Sequence, residues 1–226
     1  MNRPNVIHWM ITSKCNMSCG HCFSFKRKNL SFKKNLEIAN KIINLGVKKV
    51  VISGGEPLLQ EGIIDIITLL KKEGLTVRLD TNGLLLPKYL KRIKNLDAIG
   101  LSLDGPNEKV DQSMRNHPKH FSSVIKSLEL LKKTKIKTFI HTLITMRNYE
   151  FVDEMATLLE KYPISGWVFF EYCPFGLAFK NRKKYELGKG QFEETIKKIK
   201  YKGEMNVCKI QDRTKAYYFI ASDATP

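Results

Sequence analysis

Apolar and polar positions along the 226-residue chain repeat with two periods in turn. Short runs that alternate with period two, rich in β-branched and aromatic residues, read as strands; stretches with apolar positions three and four apart read as helices. Residues 6–12, 49–53, 76–80, 98–103, 137–144 and 167–171 are six predicted strands, and residues 215–222 read as a further one. Between them, helices are predicted over 31–45, 62–73, 87–94, 121–133, 148–162 and 191–200. Local chemistry supports the boundaries. Ser31 suits an N-cap, Gly46 and Gly74 suit C-terminal stops, and Pro87 suits a first turn. Phe121, Val124, Ile125, Leu128 and Leu131 form one helical stripe.

Strands alternating with helices at this spacing predict a parallel sheet with right-handed crossovers. A closed eight-fold barrel takes about 250 residues, so an incomplete (β/α)6 TIM-like barrel fits the length better. No linker, repeat or low-complexity tract splits the chain, and residues 1–226 are read as a single domain. Period two also sorts the strand side chains. Ile7, Trp9 and Ile11 form a face suited to helices, opposite His8, Met10 and Thr12. Val77 and Leu79 oppose Arg78 and Asp80, with Asn82 continuing the polar row. Gly100, Ser102 and Asp104 share a face, and Trp167 and Phe169 line up with Glu171 and Cys173. Polar residues gather toward strand C-termini, where barrels of this kind place their chemistry. Arg78, Asp80, His8, His141 and Glu171 are therefore candidates to line a substrate pocket at the barrel mouth.

Composition changes this picture little. Hydrophobic residues are 42% and charged residues 27%, the balance of an ordinary globular chain. No apolar run nears the roughly 20 residues of a membrane span, and Met1-Asn2-Arg3-Pro4 leads into a strand without signal-peptide architecture. The net charge of +17 would suit a nucleic acid or an anionic substrate, but only eight of the 39 basic residues are Arg. The Lys residues fall in pairs on predicted helix faces and ends, as a solvated surface requires, so nucleic acid is not the favoured partner.

The chemistry enters at Cys15-Asn16-Met17-Ser18-Cys19-Gly20-His21-Cys22, directly after the first predicted strand. Three thiols at C-x3-C-x2-C can reach one point from a single loop. Iron–sulfur clusters are held by thiolates, and three rather than four leave one iron of a cubane open. An open position suggests a reactive centre, not a structural one. A zinc site would need a fourth ligand. His21 is poorly placed to complete it, and Cys173 and Cys208 are distant. A disulfide loop is the remaining alternative; a cytoplasmic chain argues against it.

Further segments follow strand ends. Ser53-Gly54-Gly55-Glu56-Pro57 offers two glycines for close backbone approach and a carboxylate that would suit an ammonium group; alone it is an ordinary turn. Thr81-Asn82-Gly83, Leu101-Ser102-Leu103-Asp104-Gly105-Pro106 and Phe170-Glu171-Tyr172-Cys173 end the third, fourth and sixth strands.

Together with the cysteine triplet, these segments resemble the radical S-adenosylmethionine (SAM) enzymes over residues 6–175. The resemblance implies a [4Fe-4S] cluster on Cys15, Cys19 and Cys22, with SAM chelating the fourth iron. It implies SAM contacts from Gly54, Gly55 and Glu56, from Asn82, and from Ser102 ahead of Asp104. Arg115 matches a basic residue that some subfamilies aim at SAM, its other reading being a surface Arg, and Cys173 falls in a segment that borders the adenine. The chain departs from the pattern on the fifth strand, which lacks G-x-I-x-G and leaves adenine contacts there unassigned. It has no cysteine-rich C-terminal extension, so auxiliary clusters are not expected.

The activity so implied is reductive cleavage of SAM to a 5′-deoxyadenosyl radical that abstracts a hydrogen atom from a substrate. A low-potential electron donor of flavodoxin or ferredoxin type is the implied partner. The similarity of residues 15–23 and of the S-x-D-G-P segment to the peptide-maturation branch suggests a peptide or protein side chain as substrate. A nucleotide or other anionic small molecule is the rival, since the layout also resembles viperin-like and molybdenum-cofactor-synthase-like enzymes. A non-catalytic iron–sulfur sensing module is the alternative of a different class; it would have no use for the Gly-Gly-Glu turn and the S-x-D-G strand end.

Overall fold

A computed structural model describes residues 4–23, 27–213 and 218–225. In chain order the elements are β1 (Val6–Thr12), α1 (Phe32–Asn44), β2 (Lys49–Gly54), α2 (Ile63–Lys72), β3 (Thr76–Thr81), α3 (Leu86–Tyr89), β4 (Ala98–Ser102), α4 (Glu108–Arg115) and α5 (His120–Leu131). There follow β5 (Lys137–Ile144), α6 (Val152–Leu159), β6 (Gly166–Glu171), α7 (Leu177–Lys180), α8 (Arg182–Tyr185), α9 (Gln191–Lys198), β7 (Met205–Cys208), α10 (Ile210–Arg213) and β8 (Tyr218–Ile220). The strands form one sheet in the order β7-β6-β5-β4-β3-β2-β1-β8, and every pairing is parallel. The sheet curls into an incomplete TIM-like barrel.

The six predicted strands are all present, with bounds shifted by a residue or so. Two strands extend the sheet at its edges. Of the predicted 215–222 strand, positions 218–220 form β8, Ala221 and Ser222 lie in the turn beyond it, and positions 215–217 lie outside the described residues, as do Met1 to Arg3 and Pro226. β7 carries no pattern to predict it, because it is four residues long and only Cys208 is buried. At 87–94 the predicted helix shortens to the single turn of α3. Beyond it Ile93 N–H is shared between the carbonyls of Tyr89 and Leu90, as the coil loosens toward Leu96. The connection between the fourth strand and the predicted 121–133 helix hides α4, whose N-cap Asn107 accepts from the Val110 N–H at 3.1 Å.

The core lies between sheet and helices, on the strand face that alternation assigned to it. Ile7, Trp9, Ile11, Val50, Ile52, Val77, Leu79, Ile99, Leu101, Ile140, Trp167 and Phe169 pack with Ile38 and Ile42 of α1, Ile66 and Leu70 of α2, Val124 and Leu128 of α5, and Met155 and Leu159 of α6. The alternate residues, among them His8, Arg78, Asp80, Gly100, Ser102 and His141, take the concave face.

Candidate active site

The cysteine loop begins where β1 ends, and the turn after β2 fixes its course. Gly55 N–H donates to Thr12 O and Glu56 N–H to Lys14 O, both at 2.8 Å. Gly54 has φ +142°, and a β-carbon there would lie 2.3 Å from Thr12 O; one at Gly55 would lie 2.3 Å from Lys14 O. The close approach that the two glycines permit is thus to the backbone leading into the cysteines. Asn29 closes the far side of the loop, its Oδ1 accepting from Thr12 Oγ1 at 2.9 Å and Ser13 N–H at 2.6 Å.

Glu56 is fully buried, and its carboxylate accepts from Leu58 N–H (3.0 Å), Thr81 Oγ1 (2.8 Å) and Asn82 N–H (2.9 Å). Burial pushes its pKa up, against these donors. The carboxylate therefore orders the start of the segment after β3. Asn82, so placed, sends Nδ2 to Asn16 Oδ1 at 2.8 Å and to Cys15 Sγ at 3.9 Å. Thr81 belongs to the Thr81-Asn82-Gly83 segment, where the resemblance assigns a role only to Asn82; its partnership with Glu56 joins the ends of neighbouring strands β2 and β3.

A second anchor holds the other end of the loop. Cys19 S–H donates to Arg115 O at 3.5 Å. Arg115 is no surface residue: it is 13% exposed and its Nε lies 2.6 Å from Asp104 Oδ2, a tight ion pair whose N–H is angled off the line to the oxygen. Burial pulls the Arg115 pKa down and Asp104 outweighs it, keeping the guanidinium charged. Asp104 is itself buried, with Oδ1 accepting from Leu143 N–H at 2.9 Å and its own N–H donating to Asp111 Oδ1 at 3.1 Å. Asp111 Oδ2 in turn accepts from His120 Nδ1 at 2.5 Å. This chain of buried partners needs α4, which sequence periodicity did not reveal. His21 is buried against it, with Nε2 3.8 Å from Asp104 Oδ2 and its ring edge-on to Tyr185.

The segment after β6 clamps the same loop. Ala178 N–H donates to Cys22 O at 3.1 Å, and Asn181 Nδ2 to Gly20 O at 2.9 Å. Tyr185 closes on Gly20, where a β-carbon would lie 2.6 Å from Tyr185 Oη and would push that ring aside. None of the five cysteines is in a disulfide. Cys15 is exposed as a residue, yet partial desolvation of its thiol, with Glu56 nearby, raises its pKa; burial raises the less exposed Cys19 further, to about 11, against Arg115. Cys173 sits in the turn after β6, where its carbonyl accepts from Phe175 N–H, and Cys208 is buried on edge strand β7.

On the concave wall the structure brings together Arg78, Asp80 and His141. Arg78 Nε donates to Asp80 Oδ1 at 2.6 Å, and Arg78 Nη2 contacts His141 Nε2. Arginine only donates, so in this contact His141 Nε2 is the accepting atom. Gly100 makes room for them: a β-carbon there would lie 2.3 Å from Asp80 Oδ1 and 2.5 Å from His141 Cε1. Burial holds His141 down at about 4, with Asp80 opposing, and holds His8 at about 4 likewise. Glu171 does not join this wall. It has the strand parity of Trp167 and Phe169, which face the helices, and its Oε2 accepts from Ile210 N–H at 2.9 Å, at the start of α10. Ser102 is level with His141 across β4 and β5, half-buried, with no side-chain hydrogen bond among the described residues.

Residues 9–161 match the family model described as the Radical SAM superfamily, and the chain belongs to that superfamily of enzymes. Among curated relatives, it is 27% identical over 183 residues to an AdoMet-dependent heme synthase of Methanosarcina barkeri, covering 77% of this chain and 52% of the relative. It is 31% identical over 204 residues to a GTP 3′,8-cyclase of Clostridium perfringens, covering 84% of this chain and 61% of the relative. Among solved structures, SuiB of Streptococcus suis bound to precursor peptide SuiA superposes with a TM-score of 0.74 at 20% identity, over 91% of this chain and 49% of SuiB. The chain thus spans about half to three-fifths of the length of these proteins.

The superfamily uses a [4Fe-4S] cluster and SAM, and the loop after β1 offers three thiols for the cluster. Among the described residues no three His, Cys, Asp or Glu converge on one ion. His21 is turned to Asp104 and Tyr185, so the donor set is three thiols, as a cubane with one open iron requires. Among the described residues, no helix is long and apolar enough to cross a membrane.

Proposed function

We propose that this chain, read as one domain, binds a [4Fe-4S] cluster through Cys15, Cys19 and Cys22 and uses it to cleave SAM reductively. When bound, the cluster and SAM together supply a one-electron cleavage that yields methionine and a 5′-deoxyadenosyl radical able to take a hydrogen atom from a substrate. The observation that carries this reading is the bracing of a three-thiol loop, by Gly54-Gly55-Glu56 and Asn82 at one end and by the Asp104-Arg115 pair packed beside Cys19 and His21 at the other. The protein's part is to hold three sulfurs in place, keep the fourth iron open and shield the site from water. Backbone carbonyls of the Gly54-Gly55 turn and the hydroxyl of Ser102 are the proposed SAM contacts, with Cys173 near the adenine. Glu56, Asn82, Asp104 and Arg115 act through the loop, because each already has a protein partner. Reduced thiols suit a cytoplasmic setting.

For the substrate we favour a peptide or protein side chain. The concave wall left open by the parallel sheet, and likeness to a fold that holds a precursor peptide in SuiB, support that reading. One observation favours an anionic small molecule instead: Arg78 faces the interior over the Phe139 ring with no hydrogen bond from Nη1 among the described residues, and a GTP 3′,8-cyclase is among the relatives. The test is anaerobic reconstitution with iron and sulfide, then dithionite and SAM, with 5′-deoxyadenosine measured by chromatography. An intact cluster that yields no 5′-deoxyadenosine, with or without candidate peptides and nucleotides, overturns the reading. Stimulation by one class of candidate selects the substrate.

A further inference from the structure

We infer that an acidic, low-potential electron-carrier protein docks on the cavity beside the cysteine loop walled by Arg147, Lys184 and Tyr185. The inference rests on the cluster reading above and deepens it by placing the reductant.

The cavity is about 250 Å³ and is lined by Ser18 and Gly20 of the cysteine loop, with Asn116, Arg147, Lys184 and Tyr185 among its other walls. Ser18 and Gly20 flank Cys19, so a molecule seated here lies against the backbone that carries one cluster ligand. It does so from walls other than those of Arg78, Asp80 and His141, and a carrier and a substrate need not compete.

Charge identifies the occupant. Both ionised side chains lining the cavity, Arg147 and Lys184, are cationic and exposed. Lys180, Arg182 and Lys183 are exposed on the same segment, and residues 177–190 hold five Lys or Arg against the single carboxylate Glu186. Such one-signed rims steer an oppositely charged partner and fix its orientation more than they add affinity. Next to this rim stand Phe175 (59% exposed), Leu177 and Phe179 (56% exposed), large apolar groups of the kind that anchor protein interfaces.

The surface is also preformed. Arg147 stacks on the Tyr185 ring at 5.2 Å and its Nη1 donates to Ser113 O at 3.3 Å, while Met146 N–H donates to Tyr185 O at 3.0 Å. Asn181 ties the same segment to Gly20. On docking, one electron passes from the carrier, which is oxidised, to the cluster, which is reduced, with no atom transferred.

The test uses flavodoxin hydroquinone as the acidic carrier and dithionite as the control. Cluster reduction is followed anaerobically by stopped-flow absorbance on the reconstituted full chain. Flavodoxin binding to the cluster-free chain is measured by calorimetry. The proposal expects the flavodoxin rate to fall steeply with added salt. It expects Lys183→Glu/Lys184→Glu to slow that rate by about 10-fold or more and weaken binding, with cluster content and the dithionite rate little changed. The milder Arg147→Gln should act in the same direction with a smaller loss. Equal flavodoxin rates in wild type and variants overturn it, as does a wild-type chain that dithionite reduces but flavodoxin neither binds nor reduces. If the charge reversal instead lowers product formation with dithionite as sole reductant, the surface serves the substrate and the proposal falls. Failure of the cluster reading is separate: it is the absence of 5′-deoxyadenosine with dithionite, where no carrier is involved.

Discussion

Gly54 lies so close to Thr12 that a β-carbon on it would sit 2.3 Å from the Thr12 carbonyl oxygen, at a φ of +142° that L-residues rarely adopt. The contact joins the end of β2 to the start of the cysteine loop. Gly54→Ala must therefore shift backbone against backbone. Strain of this kind costs about 1–3 kcal/mol, and the loop is what yields. Iron and sulfide per chain after reconstitution should fall well below wild type, with far-ultraviolet circular dichroism little changed. Gly190→Ala is the control, since it also has positive φ but nothing within 4 Å of its added carbon.

Replacing any one of Cys15, Cys19 or Cys22 with Ala should abolish the charge-transfer absorbance of the reconstituted cubane, because one iron loses its ligand. Cys173→Ala and Cys208→Ala should leave it intact. Loss of the cluster in Cys208→Ala would refute the three-ligand assignment.

Asp104→Asn removes the negative partner of a buried guanidinium 2.6 Å away. Breaking one side of a buried pair costs about 3–5 kcal/mol, since the other charge stays desolvated. The Asp104–Arg115 pair packs beside His21 and Cys19 of the loop, so chemical denaturation should show lower stability, and cluster yield should drop with it.

Arg78→Lys keeps the charge and loses the planar fork that meets Asp80 and His141. If Arg78 grips substrate, product formed per cluster falls while uncoupled SAM cleavage holds. If the pair with Asp80 is purely structural, thermal stability and cluster yield fall together, and turnover per cluster is unchanged. We expect the first outcome, because Nη1 is not engaged by the pair.

His141 is held at about 4 in the fold against an ordinary value of 6.5. Between these limits the unfolded chain binds a proton that the folded chain refuses, so its contribution to stability is complete above about pH 6.5 and is lost as pH falls toward 4. At pH 5 the loss from this one residue is on the order of 2 kcal/mol. Urea midpoints of the cluster-free chain at pH 7.5 and pH 5 should differ more in wild type than in His141→Gln.

The sequence by itself determined the strand order along the chain, the faces of the strands and the thiol loop. Each follows from local periodicity or from residues within a few positions of one another. Ile7, Trp9 and Ile11 were bound to face helices, and Cys15, Cys19 and Cys22 were bound to share a loop. Glu171 shows the limit: alternation put it in line with Trp167 and Phe169, but only the curl of the sheet decided that this line faces away from Arg78 and toward α10. Tertiary structure likewise decided that Glu56 is spent on Thr81 and Asn82, and that Arg115 is a buried strut to Asp104 and not a surface cation. It also decided that Gly54 and Gly55 make way for the protein's own backbone. Those partnerships join residues 11 to 42 positions apart through packing between neighbouring strands and through α4, and pairings at such separations leave no periodic trace in the chain.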